Sequence, residues 1–169
     1  MATDKTRARR FLNAIRFIDD ECNINDQGEF ARSLSEIYPK ELQLKCEHQG
    51  LQATFLDLYI QIVDGIFIYK LFDNRDVFPF SIVRMPDLSG NLPSFIFYGS
   101  IMSEFLRIAR CTLLISDFLP RAKSLVNRMV SQGGNKPLIL KQIKKAVSRH
   151  PEPFRKFSIS TQQIIENLS

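Results

Sequence analysis

An α+β fold, with antiparallel hairpins plus a helix in front and a small three-helix bundle behind, follows from three features of this 169-residue sequence. Between Thr54 and Phe72, apolar and polar residues alternate on either side of Asp64-Gly65, the pattern of two strands joined by a tight turn. From Ser94 to Arg149 the apolar residues recur at helical spacing instead, as in helices with one buried side. Between these stretches, Asp73 to Pro93 scatters Pro79, Pro86, Gly90 and Pro93 among apolar residues. No helix survives that spacing, so this reads as a connector draped over the sheet and as the subdomain boundary.

Composition bounds the rest. Hydrophobic residues make up 44% of the chain, with fourteen Phe and no Trp, which is a folding sequence whose aromatic core brings no polar atoms of its own. The three cysteines, Cys22, Cys46 and Cys111, are too few and too scattered for a disulfide framework, so reduced thiols and an intracellular site, nuclear or cytoplasmic, are expected. With only His48 and His150 present, a histidine-based metal site is not expected. No signal peptide is visible, and no apolar run approaches the ~18–20 residues that a membrane span needs, so no membrane partner is expected. The net charge of +5 hides a polarity. Arg16 to Ile66 holds ten acidic residues against four basic, and Glu104 to Phe157 holds twelve basic against three acidic. A metal-and-phosphate site beside a backbone-gripping surface needs such an arrangement, and an unevenly charged soluble surface shows it too.

In chain order, residues 1–10 are dense in charge without apolar periodicity and read as a disordered basic leader. Phe11 to Ile24 is a hairpin. Ile15 and Phe17 alternate on one face, Asp19, Asp20 and Glu21 form a polar tip, and Ile24 restores an apolar side chain. Adjacent Asp residues suit a turn, because Asp tolerates unusual backbone angles and bonds its own backbone. Adjacent carboxylates at a strand end also suit Mg²⁺ held against phosphate oxygens. Asn25-Asp26-Gln27-Gly28 is a turn, and Phe30, Leu34 and Ile37 give Glu29 to Tyr38 a helical period, with Pro39 as its stop or as the first residue of the next segment. Leu42 and Leu44 alternate with Gln43 and Lys45 as a short strand, and His48 lies in a polar loop as a solvated side chain. Thr54 to Val63 reads as one strand, with Phe55, Leu56, Leu58, Ile60 and Ile62 running against Asp57, Tyr59 and Gln61. Asp57 has two readings there, a polar residue on the open face or part of a site's surroundings.

The back half reads as three helices. From Ser94 to about Asp117, the apolar stripe is Ile96 or Phe97, Ile101, Phe105, Ile108, and Leu113 or Leu114, with Arg107 and Arg110 on another side. From Asp117 to Gln132 it is Phe118, Ala122, Leu125, Val126 and Met129, with Arg121 and Arg128 opposite. Gly133-Gly134-Asn135 is a flexible loop, and Pro137 fits the first turn of a helix running to Arg149. On that helix Ile139, Ile143, Ala146 and Val147 face inward, while Lys141, Lys145 and Arg149 recur every four residues with Lys144 beside them. A row of cations one turn apart matches a phosphate strand in charge and rough pitch, and an ordinary solvated face has the same composition. Residues 151–169 read as a polar tail, broken by Pro151 and Pro153, with one more short helix from Ser160 as cap through Ile164, Ile165 and Leu168.

Phe17-Ile18-Asp19-Asp20 looks like the aromatic-x-Asp-Asp box of reverse transcriptases. The chain from about residue 11 to 150 resembles the second part of a retroelement reverse transcriptase, most closely the Penelope-like kind. Five segments follow the box in the family's order: Glu29-Phe30, Ile37 to Lys45, Phe55 to Leu58, Asp76 to Pro86, and Arg107 to Arg110. The resemblance implies a partial palm over 11–93, a thumb-like bundle over 94–150, and two-metal nucleotidyl transfer from a deoxynucleoside triphosphate to a primer on an RNA or DNA template. It implies that Asp19 coordinates Mg²⁺ with Asp20 as its looser partner. Lys45 would lie near the incoming triphosphate, and Arg107, Arg110, Lys141, Lys144 and Lys145 would hold template or primer phosphates. In the family a third carboxylate and the fingers precede the box, whereas eighteen residues precede Asp19 here. The expectation is therefore a retrotransposon polymerase fragment, inactive as this chain alone. Two other classes stand beside it: a non-catalytic nucleic-acid-binding module, and a protein-interaction domain whose partner covers exposed palm surface.

Overall fold

Two short antiparallel sheets precede a four-helix array in the computed structural model, which describes residues 14–17, 20–24, 32–33, 38–39, 41, 48, 50–80, 82, 85, 87–91 and 93–169. The architecture is mixed α+β, as the alternating front and helical back require. The leader, Asp19, Lys45 and the Leu42–Leu44 strand lie outside the described residues. Of the helix expected over Glu29 to Tyr38, three residues are described: Arg32 and Ser33 are helical, and Tyr38 is in a bend.

The first hairpin pairs β1 (Ala14–Phe17) with β2 (Asp20–Asn23), setting Phe17 opposite Asp20, Arg16 opposite Glu21 and Ile15 opposite Cys22. The second sheet is a meander of β3 (Gln52–Phe55), β4 (Leu58–Val63) and β5 (Ile66–Leu71) in that order. The β4–β5 turn is the expected Asp64-Gly65, with φ of 51° and 76°. Two positive φ angles in a two-residue loop match the twist of the strands it joins. The single strand expected over Thr54 to Val63 is instead two strands. The chain reverses at Leu56-Asp57, where Leu56 takes φ 52° and Phe55 pairs with Leu58. Asp57 thus sits in a turn, not on a strand face, and its carbonyl accepts the Phe72 N–H at 2.8 Å. Among its described residues the connector carries a short 3₁₀ turn, η1 (Asn74–Val77), capped by the Asp73 carboxylate accepting from the Arg75 N–H.

Behind it stand α1 (Ser94–Arg110), α2 (Ile115–Ser131) and α3 (Lys136–Arg149). Every inward position expected on α2 and α3 is buried: Phe118, Ala122, Leu125, Val126 and Met129 on the one, Ile139, Ile143, Ala146 and Val147 on the other. α1 stops at Arg110, short of the expected Asp117. The reason is tertiary: beyond Cys111 the chain runs extended past the meander, and the Leu113 N–H donates to the Tyr69 carbonyl at 2.9 Å. Leu113 and Leu114 therefore leave the helical stripe. At the end of α2 the Gly134 N–H donates to the Met129 carbonyl and the Gly133 N–H to the Val130 carbonyl. That double closure needs a left-handed residue, and Gly133 supplies it with φ 87°.

The segment expected as a polar tail closes the core. η2 (Glu152–Phe157) turns Phe154 and Phe157 inward, where the Phe118 ring stacks on Phe157 at 4.6 Å and Phe105 on Phe154 at 5.5 Å. α4 (Thr161–Leu168) buries Ile164 and Leu168, and Ser160 and Gln163 form a reciprocal capping box at its start. The buried apolar core thus runs from Phe97 to Leu168, and among the described residues β1 to β5 contribute no fully buried side chain. No helix among the described residues is long and apolar enough to cross a membrane.

Candidate nucleic-acid interface

Of the two aspartates expected at the first hairpin, Asp20 is among the described residues and Asp19 is outside them. Asp20 is exposed at the first position of β2, paired with Phe17. Glu21 is engaged: the Tyr38 hydroxyl donates to its carboxylate at 3.1 Å, and Arg16 donates to the same hydroxyl at 3.3 Å with its guanidinium 5.3 Å from the ring. Burial, then the Glu21 carboxylate, pushes the Tyr38 hydroxyl above the usual phenol range. Mg²⁺ accepts one or two carboxylates and completes its octahedron with water and phosphate oxygens. Asp20 is chemically such a donor, but among the described residues no three His, Cys, Asp or Glu side chains converge.

The cations divide into two groups, and the division was not readable from their spacing. Arg107 is engaged within the fold. Its Nη2 and Nε reach the two Asp57 oxygens at 2.9 and 3.1 Å, while Nη1 meets Glu104 at 3.1 Å. The Asp57 hydrogen bond leads in raising the Arg107 pKa above the arginine range, against the effect of burial. Arg121 likewise reaches Asp76 at 2.6 Å and Asp73 at 3.7 Å, and Arg75 grips the buried Asp73 carboxylate with two nitrogens. Of the acids in these clasps, Asp57 comes from the acidic stretch Arg16 to Ile66, and Asp73, Asp76 and Glu104 lie beyond it.

Lys141, Lys144, Lys145 and Arg149 form the other group. All four are exposed on α3, and among the described residues none has an ion-pair partner. Their helix is fixed from the opposite side by buried Ile139, Ile143, Ala146 and Val147, and at its start by the Asn135 side chain accepting the Leu138 N–H at 3.2 Å. Residues four apart on such a helix advance about 6 Å, close to the spacing of successive phosphates along one nucleic-acid strand. The Asn135 N–H donates to the Tyr98 hydroxyl at 3.2 Å, and Lys156 donates to the Arg110 carbonyl at 3.4 Å. These contacts make α1 and α3 run the same way, so Arg107, exposed Arg110, Arg149 and Lys156 share one end of the bundle. Part of that placement answers the helix dipoles, which favour cations at C-terminal ends. Lys156 lies 5.4 Å from the Tyr69 ring, and burial pulls its ammonium below the usual lysine range.

The structure leaves Arg110 and the α3 row exposed, ties Arg107 to the meander, and shows Asp20 at a separate hairpin. Asp57, Asp73 and Asp76 were not singled out as ion-pair partners from sequence. Arg75 is two positions from Asp73, but Arg107 and Arg121 lie some 45 to 50 positions from their partners, and the only signal for these distant pairs was the charge contrast along the chain. No family model, curated protein or solved structure matches the chain.

Proposed function

We propose that this chain binds nucleic acid through the exposed cationic row of α3, as the palm-and-thumb portion of a Penelope-like retroelement reverse transcriptase. The observation that carries the binding reading is the row itself. Lys141, Lys144, Lys145 and Arg149 are exposed and unpaired among the described residues, while four other basic side chains, Arg75, Arg107, Arg121 and Arg155, are held in ion pairs. Cations left without acidic neighbours attract polyanions and gain by releasing the counterions condensed on them. The polymerase part rests on the ordered segments of the sequence. In that reading Asp19 and Asp20 belong to the Mg²⁺ cradle of the copying reaction, Lys45 lies toward the deoxynucleoside triphosphate, and this chain's own share is to hold the template-primer. Fluorescence anisotropy with an RNA–DNA primer-template duplex tests it: binding at low salt that weakens steeply as salt rises is expected. Absence of binding at low salt discards both the polymerase and the simpler binding-module versions.

A protein-interaction role is favoured by a different observation. Phe55, Leu58, Ile60, Ile62, Phe67, Tyr69 and Leu71 share one face of the meander by register, and none is fully buried. Failure of duplex binding would make that face the leading explanation of the chain.

A further inference from the structure

The Asp57–Arg107 pair links two elements that the sequence holds 50 residues apart. It joins the β3–β4 turn to the last turn of α1, at the bundle end where Arg110, Arg149 and Lys156 also lie. Its geometry is a fork on a fork, with both Asp57 oxygens taken by adjacent guanidinium nitrogens. A guanidinium recognises a phosphate in that same bidentate manner. Asp57 keeps 58% of its side-chain surface in water against 28% for Arg107, so the carboxylate lies over the solvent side of the cation. Glu104, on Arg107's own helix, leaves only 16% of its side chain exposed and supports the guanidinium from within.

We infer that Asp57 is an intramolecular phosphate mimic that masks Arg107, so that the meander turn restrains polyanion binding at the C-terminal end of the bundle. The inference rests on the binding reading above, and it adds an autoinhibitory contact that the row on α3 does not require. Two further contacts hold the mask in place: the Phe72 N–H on the Asp57 carbonyl, and the Leu113 N–H on the Tyr69 carbonyl. Removing the Asp57 charge leaves the turn's backbone bonds intact and uncovers one guanidinium beside Arg110. Opening the mask adds one phosphate contact, which steepens the salt dependence of duplex binding by about 0.9 in log–log slope.

Asp57→Asn tests this, with Asp64→Asn as a control that makes the same charge change at the exposed β4–β5 turn. Anisotropy titrations with a fluorescent primer-template duplex across a salt series are read as affinity and slope. Expected are a roughly two- to fivefold tighter Kd at low salt and the steeper slope for Asp57→Asn alone, both abolished when Arg107→Gln is added. A slope for Asp57→Asn equal to wild type or to Asp64→Asn overturns the inference, as does a gain that survives Arg107→Gln. Wild-type binding with no change in Asp57→Asn discards the mask and keeps the binding reading. No binding by wild type at low salt discards both the binding reading and the mask built on it.

Discussion

Gly134 stands so close to Phe97 that a Cβ on the glycine would lie 2.9 Å from the ring's Cε1, 2.9 Å from Ile139 Cδ1 and 2.6 Å from the Met129 carbonyl oxygen. The last contact is with backbone, which cannot turn aside. Gly134→Ala should therefore destabilise the bundle by about 1–3 kcal/mol through overpacking, read as a lower urea midpoint at unchanged m-value. Equal midpoints would mean that the α2–α3 corner is looser than described.

The reversal at Leu56 gives a prediction whose sign separates one strand from two. Leu56 holds φ 52°, which costs a side chain with a Cβ roughly 1 kcal/mol and glycine nothing. Leu56→Gly should leave stability unchanged or raise it by up to about 1 kcal/mol. In a continuous strand the same change would lower stability by roughly 0.5–1 kcal/mol. Thermal unfolding of the two proteins decides.

The last nineteen residues should behave as core, not as appendage. Ile164 is wholly buried, so Ile164→Ala should cost about 2–5 kcal/mol. Ser160→Ala, which opens the capping box, should cost about 1 kcal/mol. A dispensable tail would tolerate both changes with no shift in the urea midpoint.

Burial raises the thiol pKa of both Cys22 and Cys111 above the ordinary value. The folded chain then holds these protons more tightly than the unfolded one. The resulting stabilisation is fully present below the unfolded thiol pKa and is lost as pH rises through the folded values. At pH 8 the thiolate fraction is depressed, so iodoacetamide should label both cysteines more slowly in the native protein than in urea, followed by peptide mass spectrometry. Native labelling as fast as in urea would contradict the burial.

The fold was legible where one period governs a long stretch. Phe118, Ala122, Leu125, Val126 and Met129 repeat at helical spacing over twelve positions, and all are buried. The Asp64-Gly65 turn was legible because glycine supplies a positive φ without strain. Leu56 carries no such mark, so its turn vanished into the apparent alternation of Phe55 to Ile62. The end of α1 was hidden for another reason: no Gly or Pro announces it, and a hydrogen bond to the distant Tyr69 settles where the helix stops. The tail misled through composition, since Phe154 and Phe157 are three apart in a 3₁₀ turn among prolines and charges. At the candidate site, the α3 row could be read from its four-residue spacing. The diversion of Arg107 and Arg121 into ion pairs could not, because partners so far apart in sequence meet only once the chain has folded.

The α3 row is tested most directly by the salt dependence of primer-template binding in the triple variant Lys141→Ala, Lys144→Ala, Lys145→Ala. These side chains are exposed, so circular dichroism and the melting temperature should stay close to wild type. The account predicts a duplex Kd weakened at least about tenfold at 50–100 mM salt and a log–log slope shallower by about 2–3. A triple variant that binds with wild-type affinity and wild-type slope would contradict it.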